Sequence, residues 1–323
     1  MRASMRIATL TKLMSLSWMH VPVAAYVLAA LGSLASLPAA HAQQSNEKTF
    51  ATPGDAVLAL YTAVKDDEQA VISTIFGTNA GDVLHSGDEV ADRKTAQDFL
   101  RRYDQMHRVV IEPDGTATLY IGAENWPFPI SIVKTSSSTW YFDTESGKQE
   151  ILYRRIGTNE NDAIETCYGL VQAQREYASA IRTGESSKHY AMKFLSDEGK
   201  QNGLYWKTSG GDPPSPIGPL VADAASEGYT NKTAPFHGYY FRILTKQGAS
   251  SKGGAKDYAA NGTLVRGFAF VAYPAQYKNS GVMTFIVNQS GIVYQKDLGQ
   301  ETQSIASAMT EYSPGDTWDP VDQ

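Results

Sequence analysis

Cysteine is nearly absent. The 323-residue chain carries one, Cys167, so no intramolecular disulfide can form and stability has to come from packing. Histidine is sparse beyond residue 42: His85, His107, His189 and His237 form no His-x-His or His-Glu-x-x-His pattern, and with one cysteine no Cys/His spacing exists to hold a transition metal. No metal or cofactor is expected. There is no Gly-x-Ser-x-Gly elbow, no Walker loop and no dinucleotide glycine fingerprint between a strand and a helix. Positive charge is the minority, with 28 Lys and Arg against 34 Asp and Glu and a formal net charge of −6. No basic stripe interleaves with aromatics, which excludes nucleic acid as a partner.

Long apolar runs are also missing, apart from one near the start. Arg2, Arg6 and Lys12 precede "VPVAAYVLAALGSLAS" (21–36), then Pro38 and "AHA" (40–42). A basic start, a short apolar run and an Ala-x-Ala site make a Sec-type signal peptide with cleavage after Ala42. The run is shorter than the roughly 20 residues a bilayer span needs, so no stable membrane insertion is expected after cleavage. No cysteine follows it to carry a lipid. The expected mature chain starts at Gln43, has 323 − 42 = 281 residues, and loses three positive charges, moving from −6 to −9. It is expected to be periplasmic or secreted.

The mature sequence reads as two α+β domains, residues 43–157 and 158–323. In the first, Thr52 and Pro53 open a helix in which Val57, Leu60, Tyr61 and Val64 share one face. Further helices are expected at 67–76 and 95–106. The period then changes to that of strands: "HRVVIEPDGTATLYIG" turns at Pro113-Asp114-Gly115, and "FPISIVK" and "TWYFD" turn at Ser136-Ser137-Ser138. Helices followed by about four antiparallel strands resemble the cystatin-like or nuclear-transport-factor-2-like arrangement, in which a curved sheet wraps a long helix.

The second domain is expected to open with a helix over 160–182, separated from the preceding one by Gly157 acting as a C-cap. Another helix is read at 187–197, followed by a Gly- and Pro-rich loop at 203–220. Strands at 238–245, 264–273, 282–288 and 291–296 make an antiparallel meander covered by the first of these helices. The terminal Asp316, Asp319 and Asp322 lack the glycine and glutamate offsets of a calcium loop and read as a frayed acidic tail.

The segments "FPISIVKTSSSTWYFDTESGKQEILYRRIGTNE", "GKQNGLYW", "PPSPIGPLVADA", "FHGYYFRILTKQG" and "GFAFVAYPAQYKNSGVMTFIVNQSGIVYQKDLG" run from 128 to 299. Together they resemble domain-of-unknown-function family 2950, an exported bacterial family. The resemblance implies an envelope location and supplies no catalytic residue. Residues 158–300, a helix followed by four antiparallel strands, are similar to the heads of type IV pilins and pseudopilins. Those proteins begin with a long apolar assembly helix, whereas this helix is amphipathic and lies mid-chain, which points to a binding module and not to a filament subunit.

The remaining chemistry is thin. "SIVK" (Ser131–Lys134) matches Ser-x-x-Lys, but in a strand those two side chains point to opposite faces. Cys167 reads as a small buried hydrophobe on a helix. If the protein is an enzyme, the polar groups around the second sheet are the catalytic candidates: His237, Arg242, Asp257 and Tyr258. If it binds a partner, the aromatics of "AENWPFPI" and "NGLYW" are the candidates: Trp126, Phe128, Tyr205 and Trp206. The leading expectation is a non-enzymatic binding or accessory module engaging an envelope protein or cell-wall component. The alternative is a hydrolase cutting cell-wall glycan or peptide from a cleft between the domains.

Overall fold

The computed structural model describes residues 47–77, 80–182, 185–208, 213–227, 229 and 234–321, which fall within one compact unit. The expected leader and cleavage site, and part of the loop at 203–220, lie outside the described residues. The fold is mixed α+β, with helices packed on antiparallel sheets.

Helix α1 (Pro53–Lys65) starts as its sequence requires. The Thr52 hydroxyl accepts from the Asp55 amide, and the Asp55 carboxylate accepts from the Thr52 amide, so two orphan donors are satisfied reciprocally. Its buried Val57 and Leu60 face the first core. Helices α2 (Gln69–Phe76), α3 (Gly81–Leu84) and α4 (Glu89–Gln105) follow. Helix α4 begins before the expected residue 95 because the Asp88 carboxylate caps the amides of Val90 and Ala91.

The first sheet holds β1 (His107–Ile111), β2 (Ala117–Ile121), β3 (Trp126–Pro127), β4 (Ile132–Lys134) and β5 (Trp140–Phe142), in the order β1-β2-β4-β5 with β3 also paired to β2. Strand β2 alternates buried and half-buried residues, so Ala117, Leu119 and Ile121 point into a core shared with α1, α2 and Phe142.

Helix α5 (Thr144–Tyr177) is continuous for 34 residues, which corrects the expected break at Gly157. A C-capping glycine takes a positive φ. Gly157 is not among the positive-φ residues and remains helical. The helix continues because both of its ends are held by packing. Ile151 joins the first core, while Ala163, Cys167, Leu170 and Val171 enter the second. The expected domain boundary at 157/158 thus falls inside one helix.

The expected helix at 187–197 does not form. Tyr190 donates to the Leu264 carbonyl, Tyr205 to that of Phe194 and Ser196 to that of Tyr205, while the Gln174 side chain takes both backbone groups of Ala191. These tertiary bonds capture the backbone that a helix would have used. Helix α6 (Gly218–Glu227) arises instead from the end of the Pro-rich loop.

Strands β6 (Tyr239–Leu244), β7 (Lys246–Gln247), β8 (Lys256–Asp257), β9 (Ala259–Ala260), β10 (Thr263–Leu264), β11 (Ala269–Pro274), β12 (Met283–Asn288) and β13 (Val293–Asp297) precede α7 (Thr302–Ala308), β14 (Glu311–Tyr312) and β15 (Asp319–Pro320). The main sheet runs β15-β13-β12-β11-β6, with α5 packed against β11, β12 and β13. The expected meander is present, but Asp316 and Asp319 do not lie in a frayed tail, while Asp322 is outside the described residues. Asp319 and Pro320 pair with β13, Val321 donates to the Val293 carbonyl and Trp318 is buried. The second core is filled by Phe268, Phe270, Phe285 and Tyr239, all fully buried, each worth roughly 1.5–3 kcal/mol of transfer free energy.

A Cβ added at Gly157 meets no atom within 4 Å. Gly157→Ala should therefore raise stability by about 0.5–1 kcal/mol through helix propensity. Urea denaturation checks this, and a lowered midpoint would mean that the helix is interrupted there.

Candidate functional site

The opening of β6 is a tight turn. Phe236 and Tyr239 exchange both of their backbone hydrogen bonds, at 2.8 and 3.0 Å, and the two residues between them, His237 and Gly238, have φ of 49° and 74°. Positive φ at both central positions is the type I′ hairpin geometry, which needs a residue tolerant of the left-handed region followed by glycine. Gly238 is required twice over, since a Cβ there would sit 2.5 Å from Asn159 Nδ2. The turn places the His237 imidazole at its apex.

Helix α5 supplies one wall. Arg155, Asn159 and Asp162 stand at i, i+4 and i+7 and form a polar stripe on one face. Arg155 is largely buried and donates to the carbonyls of Asp82 and Val83 and to the side chain of Asn279, which in turn donates to the His85 carbonyl. Burial lowers its pKa and the charges of Asp92 and Asp82 oppose that. Asn159 donates to the Ser280 carbonyl, and Glu160 accepts from the amides of Val282 and Met283. The stripe thereby ties α3 and the 276–283 segment to α5.

At its end, Asp162 Oδ2 lies 2.6 Å from His237 Nδ1, and Glu227 Oε2 lies 2.8 Å from His237 Nε2. A carboxylate only accepts, so the ring filling both contacts is the imidazolium, the form with two N–H donors. Burial opposes this charge, but the hydrogen bonds and charges of Asp162 and Glu227 outweigh it and raise the His237 pKa. Lys94 lies 3.6 Å from the other Glu227 oxygen.

Asp88 makes the second junction. Its Oδ1 caps α4, while its Oδ2 accepts from the Tyr229 hydroxyl at 2.9 Å and the Gly238 amide at 3.0 Å. The Tyr229 hydroxyl also accepts from the His237 amide. Burial, then the Asp88 charge, pushes the Tyr229 pKa up, so the phenol stays protonated. One carboxylate therefore starts a helix of the first half and fixes the turn of the second.

The model of the family described as protein of unknown function (DUF2950) matches residues 47–321. The chain belongs to that family. Comparison with curated proteins and with solved structures found no match.

The DUF2950 fold separates the residues singled out from sequence. Asp257 and Tyr258 lie beyond the far end of β6 from His237. Asp257 is exposed and 3.8 Å from Lys246, and Tyr258 is buried with its hydroxyl donating to Gln247. Arg242 donates to the carbonyls of Ala306 and Met309 and so closes the C-terminal end of α7. The partners of His237 are Asp162 and Glu227 instead. Trp126 is half-buried beneath two guanidiniums, Arg154 at 5.0 Å and Arg102 at 6.0 Å, with Phe128 edge-on beside it. Phe128 and Tyr205 pack against the first and second cores, and Trp206 is buried with its indole N–H donating to the Pro213 carbonyl. Burial pushes the Cys167 thiol up to about 12, so it stays protonated at neutral pH. Among the described residues no group of three or more His, Cys, Asp or Glu side chains is arranged to hold a metal ion.

Asp88, Asp162, Glu227 and Tyr229 escaped the sequence reading. A signal existed for one of them: the spacing of Arg155, Asn159 and Asp162 is visible once Gly157 is read as helix interior. Asp88→Ala should cost about 2–4 kcal/mol, combining a lost cap with two lost charge-assisted bonds. Tyr229→Phe should cost about 1 kcal/mol. Chemical denaturation of both variants and of the double variant checks this, with the double falling short of the sum because the two share a bond.

Proposed function

We propose that this DUF2950 protein is exported to the cell envelope and works there as a non-catalytic binding or accessory module, docking an envelope protein on the Trp126 surface. The observation that carries this reading is the half-exposed Trp126 indole held between Arg102 and Arg154. Arg154 is itself fixed by Glu150 at 2.7 Å on rigid α5. A preorganised aromatic flanked by arginine is the kind of residue that concentrates binding energy at protein interfaces. The basic start, short apolar run and Ala-x-Ala site at the N-terminus support export. The likeness of residues 158–300 to pilin heads suggests an envelope assembly as the setting.

The junction around His237 supports a structural role for its ionisable groups. A glycan hydrolase needs two carboxylates facing each other across a substrate. Asp162 and Glu227 instead each commit an oxygen to the same imidazole.

The test is crosslinking in intact cells followed by purification of the full-length protein from the envelope. The exported protein should begin at Gln43, and Trp126→Ala should reduce recovery of a specific crosslinked protein by roughly tenfold or more while leaving thermal stability near wild type. An unchanged set of crosslinked proteins would overturn the surface assignment. Solubilisation of purified cell wall by the wild-type protein would overturn the non-catalytic reading.

A further inference from the structure

The contacts of His237 define a device as well as a brace. The ring is bonded on both nitrogens, to α5 through Asp162 and to the last residue of α6 through Glu227. Its own backbone N–H donates to Tyr229, two residues beyond Glu227, and the next amide, Gly238, donates to Asp88 at the start of α4. The titratable and charged groups facing it are thus Asp162 from α5, Glu227 and Tyr229 from the α6 end, and Asp88 and Lys94 from α4, with Lys94 reaching it through Glu227.

We propose that His237 is a proton-operated latch, which as imidazolium clamps the end of α6 to α5 and on losing its proton releases the Glu227 arm. The geometry dictates the release. A neutral imidazole keeps one N–H and turns a lone pair toward the other carboxylate, and two acceptors at hydrogen-bond distance repel. One arm has to open. The Asp162 contact is the shorter, and Glu227 has a second cation, Lys94, to hold it once it leaves the ring. The Glu227 arm therefore opens and loosens Tyr229 from Asp88 and from the turn.

The direction follows from the raised pKa of His237. The clamp is complete below the ordinary histidine value of about 6.5 and is lost as pH rises through the higher value of the folded state. The latch is closed in acidic surroundings and opens as pH rises through that higher value.

The test uses the full chain labelled with 15N-histidine, titrated by NMR from acidic to alkaline pH, with free histidine as the standard. His237 should keep both ring N–H groups to higher pH than free histidine does. Asp162→Asn and Glu227→Gln should each lower its midpoint by about one unit or more. In parallel, amide hydrogen exchange corrected for intrinsic rates should show protection at Gly238 and in the last turn of α6 falling about tenfold across the wild-type midpoint. The same amides in Glu227→Gln, a shape-conserving change, should show no pH-dependent fall. His237 titrating at or below free histidine would overturn the latch, and so would wild-type protection that stays level while His237 loses its proton.

Discussion

One helix that belongs to two hydrophobic interiors constrains everything else in this protein. Helix α5 delivers Ile151 to the first core and Cys167, Leu170 and Val171 to the second, so neither interior can shift without moving the other. Between these apolar ends the helix has to cross a zone where three chain segments meet, and there it carries Arg155, Asn159, Glu160 and Asp162. Each satisfies backbone or side-chain groups that the meeting of those segments would otherwise leave buried and unpaired. The polar stripe follows from the apolar architecture around it.

Such a network is all or nothing. In a medium of low dielectric a fully paired group stiffens its surroundings, and a half-paired one weakens them. Asp88 shows the economy of the arrangement, since one carboxylate serves the α4 amides, the Tyr229 hydroxyl and the Gly238 amide together. His237 shows the cost: it occupies a left-handed backbone conformation that few residues tolerate and holds a charge out of bulk water. Two carboxylates and a type I′ turn keep it there.

The sequence reveals elements whose signals are local. The Thr52-Pro53 helix start, the Pro113-Asp114-Gly115 turn and the strand order of the second sheet are all visible in short stretches, because caps, turns and two-residue periods act over a few positions. It misleads where long-range partners overrule local preference. Gly157 reads as a stop but lies in a helix pinned at both ends, and 187–197 reads as helix but spends its hydrogen bonds on Leu264, Tyr205 and Gln174. His237 drew notice for its setting, yet its partners Asp162 and Glu227 lie 75 and 10 positions away along the chain, and no period connects them to it. Trp206, in a stretch that reads as exposed loop, is turned inward because its indole N–H finds Pro213.

Strand β15 is two residues long, yet it covers the outer edge of β13, and Trp318 beside it is buried. An uncovered strand edge presents unpaired backbone groups that recruit other chains. Keeping each molecule apart from its neighbours on this side therefore falls to a very small piece of backbone, and a change that frees it would turn the main sheet into a template for association.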